Sequence, residues 1–141
     1  MNKWFFSLIM ALFVLFMTPI NAQYTVLYEF QDGRGGSSLG HLVVDGTIMY
    51  GMQPGGDHNK GVVFKIDIDG TDYTPLHHFT GSSTDGANPS SASLVLDGTT
   101  LYGTAQSGGN PGGGVIFKIN TDGSGYSNIY NFGYSPDGAF P

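Results

Sequence analysis

The chain has 141 residues, no cysteine and a formal net charge of −6 at pH 7. The absence of thiols excludes disulfides, thiolate metal sites and a cysteine nucleophile. The acidic balance and the few scattered basic residues argue against a nucleic-acid partner, because phosphate binding needs clustered Lys and Arg. Many glycines and prolines indicate tight turns, and the short apolar runs between them predict an all-β protein rather than a disordered one.

The N-terminus has the pattern of a secretory signal peptide. Lys3 precedes a continuous apolar run over residues 4–17, and the helix-breaking Pro19 follows it. Because this run is shorter than the roughly 18 residues that a membrane-spanning helix needs, we interpret residues 1–22 as a leader that is cleaved near Ala22. Its removal leaves four basic and eleven acidic residues, a net charge of −7. The mature protein is expected to be secreted or held at the cell surface, without a membrane span.

The sequence repeats itself at an offset of 52 to 53 residues. Four pairs of stretches match: LVVDGTIMYGM (42–52) with LVLDGTTLYGT (94–104), GVVFKIDIDG (61–70) with GVIFKINTDG (114–123), YTPLHHF (73–79) with YSNIYNF (126–132), and DGANP (85–89) with DGAFP (137–141). YTVLYEF (24–30) is a third copy of the YTPLHHF stretch. Such a period predicts repeated supersecondary units.

Each unit is predicted to form four short antiparallel strands. The first precedes Asp-Gly, the second contains Tyr-Gly, the third is the Val-x-Phe-Lys-Ile run, and the fourth is Tyr-x-x-[Leu/Ile]-x-x-Phe. Asp-Gly favours a type I′ hairpin turn, so Asp45-Gly46 and Asp97-Gly98 are predicted to join strands one and two. Asp69-Gly70 and Asp122-Gly123 are predicted to join strands three and four, and glycine-rich loops to join strands two and three. Four strands in about 52 residues is the size of one β-propeller blade.

The predicted organisation is a signal peptide (1–22), a lone strand and linker (23–41), a first unit (42–93), and a second unit with the start of a further linker (94–141). Residues 23–141 hold about 2.3 units, whereas propellers close with about four to eight blades. The ring is therefore expected to be incomplete. We interpret the chain as a fragment of a longer protein, with a complete short chain that closes by self-association as the alternative.

These motifs resemble the GloVer (Gloeo/Verruco) tandem repeat, found in secreted bacterial choice-of-anchor proteins. Its units look like D-G-A-x-P, L-x-x-D-G-x-x-L-Y-G-T, a glycine-rich loop, G-x-[VI]-F-K-[IL] and L-Y-x-F. Residues 85–89, 94–104, 113–119 and 129–132 carry that pattern. The linker QDGRGGSSLGH (31–41) departs from it, since it is shorter and lacks Ala-x-Pro. The resemblance implies a β-propeller-like array and no established catalytic activity, so it supplies no catalytic or cofactor-binding residues.

Three acidic residues, Asp67, Asp69 and Asp72, raise the question of a calcium loop. A calcium site needs six to eight oxygen ligands and usually a late bidentate Glu. No Glu follows in this chain, and the second copy replaces the first and last of the three by Asn120 and Gly125. We interpret the stretch as a turn between strands, with a weak calcium site in the first copy as the alternative.

The adjacent histidines His77 and His78 invite a metal or acid-base role. His77 corresponds to Tyr28 and Tyr130 in the other copies, which indicates a position for a flat, half-buried ring. His78 occupies a polar position that faces outward. Because adjacent strand residues face opposite sides, the pair does not readily share one metal, and a packing role is favoured.

The remaining candidates lie in loops or recur in the repeat. Asp57, His58 and Arg34 are polar residues that break the repeat, so they are the candidates for a ligand or catalytic site, and His41 is a further loop histidine. The stretch GGNPGGG (108–114) lacks the Gly-Lys-Ser/Thr of a phosphate loop and is predicted to be a flexible connection.

Tyr50 and Tyr102 would stack on sugars if exposed. Their recurrence at one strand position instead favours packing between blades.

The expected function is that of a structural or interaction scaffold that binds a protein or glycan through its loops, without enzymatic activity. A propeller enzyme acting on carbohydrate and a calcium-stabilised adhesin are the alternatives. No catalytic, cofactor-binding or metal-ligating residue is assigned from the sequence.

Overall fold

The computed structural model describes residues 25–29, 40–89, 92–133, 138 and 141. The predicted signal peptide and Arg34 lie outside these ranges. The described residues form ten strands, which agrees with the all-β prediction. None of the described segments is a helix with the length and apolar character required to cross a membrane.

The strands form two four-stranded antiparallel meanders and one short pair. In chain order they are β1 (Val43–Asp45), β2 (Ile48–Gln53), β3 (Val62–Asp67), β4 (Thr74–His78), β5 (Gly86–Ala87), β6 (Val95–Asp97), β7 (Thr100–Ala105), β8 (Ser107–Gly108), β9 (Val115–Asn120) and β10 (Ser127–Asn131). The first sheet has the order β1-β2-β3-β4, the second β6-β7-β9-β10, and β5 pairs with β8. The prediction of four antiparallel strands in each unit is therefore confirmed, whereas the short pair was not predicted. Below, unit 1 denotes residues 42–93 and unit 2 residues 94–141.

The first hairpin of each unit turns at the predicted Asp-Gly, but the predicted turn type is wrong. Asp45 pairs with Ile48, so the loop consists of Gly46 and Thr47. Only Gly46 in this loop has a positive φ, 58°, and Gly98 repeats this with 57°. A positive φ at the first loop residue alone belongs to type II′. The aspartate ends the strand and does not enter the loop, which is why the type I′ prediction failed.

Residues 25–29 were predicted to belong to a lone fourth strand. Within the described residues they take part in no strand pairing. In unit 1 and unit 2 the same sequence motif pairs with the third strand of its own unit, β4 with β3 and β10 with β9. A fourth-strand sequence therefore becomes a strand only where a third strand supplies its hydrogen bonds.

The main core lies between the two sheets. One buried cluster contains side chains from both, namely Tyr50, Met52, Val63, Phe79, Leu94, Leu101, Ala105, Val115, Phe117 and Ile119. A smaller cluster of Met49, Phe64 and Ile66 covers the opposite face of the first sheet. Phe79 and Phe117, both fully buried, meet edge to face with ring centroids 5.3 Å apart. Burying a phenylalanine contributes about 1.5 to 3 kcal/mol, so this contact joins the units strongly.

The recurring Tyr-Gly of the second strand has a packing cause. A Cβ at Gly51 would lie 2.7 Å from Cζ of Phe64, and a Cβ at Gly103 would lie 2.6 Å from Cζ of Phe117. Neither glycine has a positive φ. Glycine is needed there because the phenylalanine ring of the third strand lies close to the backbone of the second.

We expect Gly103→Ala to destabilise the fold by about 1 to 3 kcal/mol, because adding a methyl group to a close-packed core forces the Phe117 ring to move. Urea unfolding of the mature chain, followed by circular dichroism, measures the change. Val95→Ala is the control, since Val95 lies in the same sheet with 63% of its surface exposed. This control should stay within about 0.5 kcal/mol of the wild type. Equal values for the two variants would contradict the packing explanation.

Candidate functional site

Successive fourth-strand segments contact each other through stacked rings. The Tyr28 ring stacks on Tyr73, with centroids 5.0 Å apart and an interplanar angle of 11°. One repeat later the His77 ring stacks on Tyr126, with centroids 3.9 Å apart and an angle of 9°. The prediction that His77 occupies a position for a flat, half-buried ring is confirmed.

A glycine in each turn between strands three and four adds a second repeated contact. A Cβ at Gly70 would collide with the carbonyl of Leu27, and a Cβ at Gly123 would lie 3.1 Å from the carbonyl oxygen of Leu76. Leu27 and Leu76 are equivalent positions of the repeat. Residues 25–29 therefore contact unit 1 in the same way as β4, the outer strand of unit 1, contacts unit 2.

A buried carboxylate, that of Asp85, organises the loop that leaves unit 1. Its Oδ2 accepts hydrogen bonds from Thr80 N at 2.7 Å and Thr80 Oγ1 at 2.8 Å. Its Oδ1 accepts one from Gly86 N at 2.7 Å and lies 3.0 Å from Nε2 of His77. Burial raises the pKa of this carboxyl, but the hydrogen bonds from His77 and Thr80 outweigh it and lower the pKa to about 2.

Tyr126 of unit 2 is hydrogen-bonded to this loop. Its hydroxyl accepts a hydrogen bond from Gly86 N at 3.1 Å and donates one to Asn128 Oδ1 at 3.0 Å. Burial raises the pKa of Tyr126 well above its usual range, and although the Gly86 hydrogen bond opposes this, the nearby Asp85 carboxylate adds to it. The hydroxyl therefore stays protonated and can serve as donor and acceptor at once.

The loop between the units is held on unit 2 by backbone pairing. Gly86 and Ala87 of β5 pair with β8. Gly109 N donates to Asp85 O at 2.8 Å and to Ser82 O at 3.0 Å. We call the residues of unit 2 that hold this loop, Ala105, Gly108, Gly109, Val115 and Tyr126, the linker site of unit 2. The glycine-rich stretch 108–114 was predicted to be a flexible connection; its first residues are instead a paired docking surface.

The equivalent place in unit 1 is an open cavity of about 460 Å³. It is lined by Gln53, Gly55, Gly56, Asp57, Asn59, Val62, Tyr73, Pro75 and His78. By strand register Gln53 corresponds to Ala105 and Val62 to Val115. By the repeat offset Tyr73 corresponds to Tyr126. We call this lining the linker site of unit 1, since Gln53, Val62 and Tyr73 are the counterparts of residues that hold the Asp85 loop in unit 2.

The backbone of this cavity resembles that of the linker site of unit 2. The φ values of Gly55 and Gly56 are 97° and 72°, close to the 82° and 71° of Gly108 and Gly109. Within the described residues Gly56 N, the counterpart of the Gly109 donor, forms no hydrogen bond. The fold therefore builds the same glycine backbone in both units.

The polar side chains of the cavity contact one another. Gln53 Nε2 donates to the Tyr73 hydroxyl at 3.1 Å, and Asp57 N donates to Nδ1 of His78 at 3.1 Å. The Asp57 carboxylate lies 3.6 Å from the same nitrogen. Of the polar residues predicted as irregular, Asp57 lines the cavity and His58 is exposed in the same loop.

Other predicted candidates have packing or connecting roles. Tyr50 is buried in the cluster between the sheets, as predicted, while Tyr102 is half-buried. His41 donates its backbone N–H to Ser93 Oγ at 3.1 Å, and its ring nitrogen Nδ1 lies 3.0 Å from the same oxygen.

The acidic stretch after β3 is built as a turn. Asp69 Oδ1 accepts hydrogen bonds from Thr71 N at 2.9 Å and Thr71 Oγ1 at 2.7 Å. In the second copy Asp122 Oδ1 accepts the same two bonds from Ser124, at 2.8 and 2.7 Å. These bonds lower the pKa of both carboxyls. In the ranges that the structure describes, no three His, Asp or Glu side chains converge as metal ligands.

The sequence model of the Gloeobacter/Verrucomicrobia repeat matches residues 13–141. The chain belongs to this repeat family. The resemblance to the GloVer repeat is thereby confirmed. Neither a curated protein nor a solved structure matches the chain.

The Asp85 cluster and the two linker sites were not predicted as sites. The signal for them was present in this Gloeobacter/Verrucomicrobia repeat sequence, because Asp-Gly-Ala-x-Pro recurs and a tyrosine directly precedes each of the strands β4 and β10. A carboxylate that recurs between strands and outside a hairpin turn indicates a buried hydrogen-bonding role. The Gly86 bond to Tyr126 could not be read from spacing, since 40 residues separate the partners.

Replacing Asp85 by Asn should lower the free energy of unfolding by about 2 kcal/mol at pH 7, because the amide nitrogen meets backbone donors where the carboxylate accepted them. The folded-state pKa lies below the ordinary value, so the stabilisation is complete above about pH 4 and is lost as the pH falls toward 2. The difference between wild type and Asp85→Asn should therefore shrink over that window.

Urea unfolding at a series of pH values measures this difference. Asp97→Asn, at an exposed aspartate that ends β6, is the matched control and should follow the wild-type profile. A difference between wild type and Asp85→Asn that is the same at pH 2 and pH 7 would show that the Asp85 charge does not hold the loop.

Proposed function

We propose that this protein is an exported interaction scaffold, whose units pack into a β-propeller-like array and bind a protein or glycan through their loops. The observation that carries the proposal is the contact set repeated from one unit to the next. Stacked rings and a close glycine contact occur both between residues 25–29 and unit 1 and between unit 1 and unit 2. Units that cannot bury their apolar faces alone gain a continuous core in this way.

A rotational arrangement of the units is supported by the contacts at their starts. His41 contacts Ser93, its counterpart 52 residues later. A Cβ at Gly40 would collide with the carbonyl of Ala92, again its counterpart. Equivalent points of two rotated units come closest near the rotation axis. The beginning of the first strand therefore fits the innermost position, as in a propeller blade.

Export is supported by the N-terminal sequence. Lys3 followed by the apolar run 4–17 has the composition of a signal peptide. A chain without cysteine needs no disulfides outside the cell, and its packed core supplies the stability instead.

A propeller enzyme acting on carbohydrate is the second function considered, because Asp57 and His78 meet in an open cavity. Screening the mature chain against a glycan panel, with analysis of the released sugars, separates the two functions. We expect binding without release of product. Product formation would overturn the scaffold proposal, and a chain bearing both Asp57→Ala and His78→Ala would then identify the catalytic pair.

A calcium-stabilised adhesin makes a different prediction. Because Asp69 is already bonded to Thr71 in a turn that unit 2 builds without the same acidic set, we expect millimolar calcium to leave the melting temperature unchanged. Thermal unfolding with calcium and with a chelator measures this. A rise in the melting temperature that Asp67→Ala abolishes would support the adhesin instead.

A further inference from the structure

Asp-Gly pairs recur at five places in the residues that the structure describes. Two close the first hairpin of each unit, Asp45-Gly46 and Asp97-Gly98, and two lie in the turn after the third strand, Asp69-Gly70 and Asp122-Gly123. The fifth, Asp85-Gly86, lies in the loop between the units. In such a pair the glycine nitrogen can attack the aspartate side chain, because glycine has no side chain to crowd that nitrogen. The five pairs share this chemistry, and their surroundings decide which of them react.

The reacting groups are held apart in the turn that follows each third strand. In unit 1 Gly70 N donates to Asp67 O at 2.8 Å, while Asp69 Oδ1 accepts two hydrogen bonds from Thr71. Unit 2 repeats this arrangement, with Gly123 N bonded at 2.9 Å and its aspartate bonded twice to a serine. The nitrogen and the carboxylate must lose these bonds before they can react with each other.

The Asp85-Gly86 pair is held by ionisation as well as by hydrogen bonds. Gly86 N donates to Asp85 Oδ1 at 2.7 Å and to the Tyr126 hydroxyl at 3.1 Å, and both residues of the pair are buried. The bonds that lower the pKa of Asp85 to about 2 keep its carboxyl ionised. An amide nitrogen does not displace oxygen from a carboxylate anion, because the carbon of the anion is a poor electrophile.

The pairs in the first hairpins lack these restraints. In the described part of the chain, Gly46 N and Gly98 N donate no hydrogen bond, and no donor binds the carboxylate of Asp45 or Asp97. No described atom lies within 4 Å of a Cβ built on either glycine. Exposure does not explain the difference, since the aspartates of the other two turns are exposed as well. What distinguishes the first hairpins is that both reacting groups are unbonded.

We propose that Asp45 and Asp97 convert spontaneously to isoaspartate, which makes the tip of each first hairpin a self-modification site. The glycine nitrogen attacks Cγ of the neutral carboxyl, a nitrogen–carbon bond forms, and the amide proton leaves with the carboxyl hydroxyl as water. A second water then opens the resulting succinimide ring. Opening at Cγ restores aspartate. Opening at the main-chain carbonyl breaks its bond to the glycine nitrogen, and the chain then runs through the former side chain.

The hairpin tip must open locally for the ring to form. Asp45 pairs with Ile48 as the last pair of its ladder, and the equivalent pair closes the hairpin of unit 2. Pairs at the end of a ladder open at a lower free energy than those of the core. Thr47 O accepts a hydrogen bond from Ile68 N at 2.8 Å, so the tip stays attached to the sheet when this pair opens. The reaction therefore proceeds from the folded protein.

Peptide mapping of the mature chain measures the reaction. The chain is kept for several weeks at about pH 5, where a small fraction of ordinary carboxyls is neutral. Electron-transfer fragmentation then distinguishes isoaspartate from aspartate at each position. We expect at least about tenfold more isoaspartate at Asp45 and Asp97 than at the aspartates of the other two turns, which must first break their hydrogen bonds. Asp85 should form the least.

The same chain kept unfolded in guanidinium chloride is the control. Unfolding removes the contacts that distinguish the five pairs, so all five should then react at similar rates. Selectivity that persists in the unfolded chain would show that neighbouring residues in the sequence, and not the fold, cause it, and would overturn the proposal. Absence of isoaspartate at Asp45 and Asp97 in the folded chain would overturn it too.

A matched pair of variants gives a second readout. Asp45→Asn and Asp69→Asn each place an amide at the reacting position, so ring closure expels ammonia and ring opening by water raises the mass of the chain. The Asp45→Asn chain should gain this mass at least about tenfold faster, because the amide oxygen in Asp69→Asn can still accept the bonds from Thr71. Circular dichroism shows whether each variant is folded. Equal rates in the two folded variants would contradict the proposed protection.

Discussion

The structure depends on the buried carboxylate of Asp85. Between the units the chain runs from β4, the outer strand of unit 1, to β6, the first strand of unit 2. This connection places backbone N–H groups between two apolar sheets. Asp85 accepts hydrogen bonds from Thr80 and Gly86 and contacts His77, so the turn is satisfied internally. The loop can then lie on unit 2 without unpaired polar groups. The burial of Phe79 against Phe117 follows from that placement.

Close approach of backbone is the second constraint. The glycines of the second strands allow a phenylalanine ring to lie on the sheet, and Gly70 and Gly123 allow the preceding outer segment to touch the turn. A side chain at any of these positions would push neighbouring layers apart. The high glycine content is thus a requirement of thin, closely stacked sheets, in addition to the needs of the turns.

The sequence predicts the sheets well because their signals are local. The Val-x-Phe-Lys-Ile runs and the Asp-Gly turns mark the strands of both units, and all eight strands of the two four-stranded sheets occur where these signals stand. The sequence does not predict the strand pairing that depends on contact between the two units. Gly86–Ala87 and Ser107–Gly108 have little intrinsic preference for strands, and they pair because the Asp85 loop is held against unit 2. Residues 25–29 have strand-like composition and lack strand pairing in the described part of the chain, since pairing needs a partner that composition does not supply.

The two linker sites share a backbone and differ in one side chain that matters for binding. In unit 2 the small Ala105 leaves room for Gly86, whose Cβ position lies 2.8 Å from the Ala105 methyl carbon. In unit 1 the same register position holds Gln53, which is buried and bonded to the Tyr73 hydroxyl. A loop entering this site must move the glutamine amide and supply it with new hydrogen-bond partners. The same backbone site therefore has a small apolar side chain at this position in unit 2 and a polar, hydrogen-bonded one in unit 1.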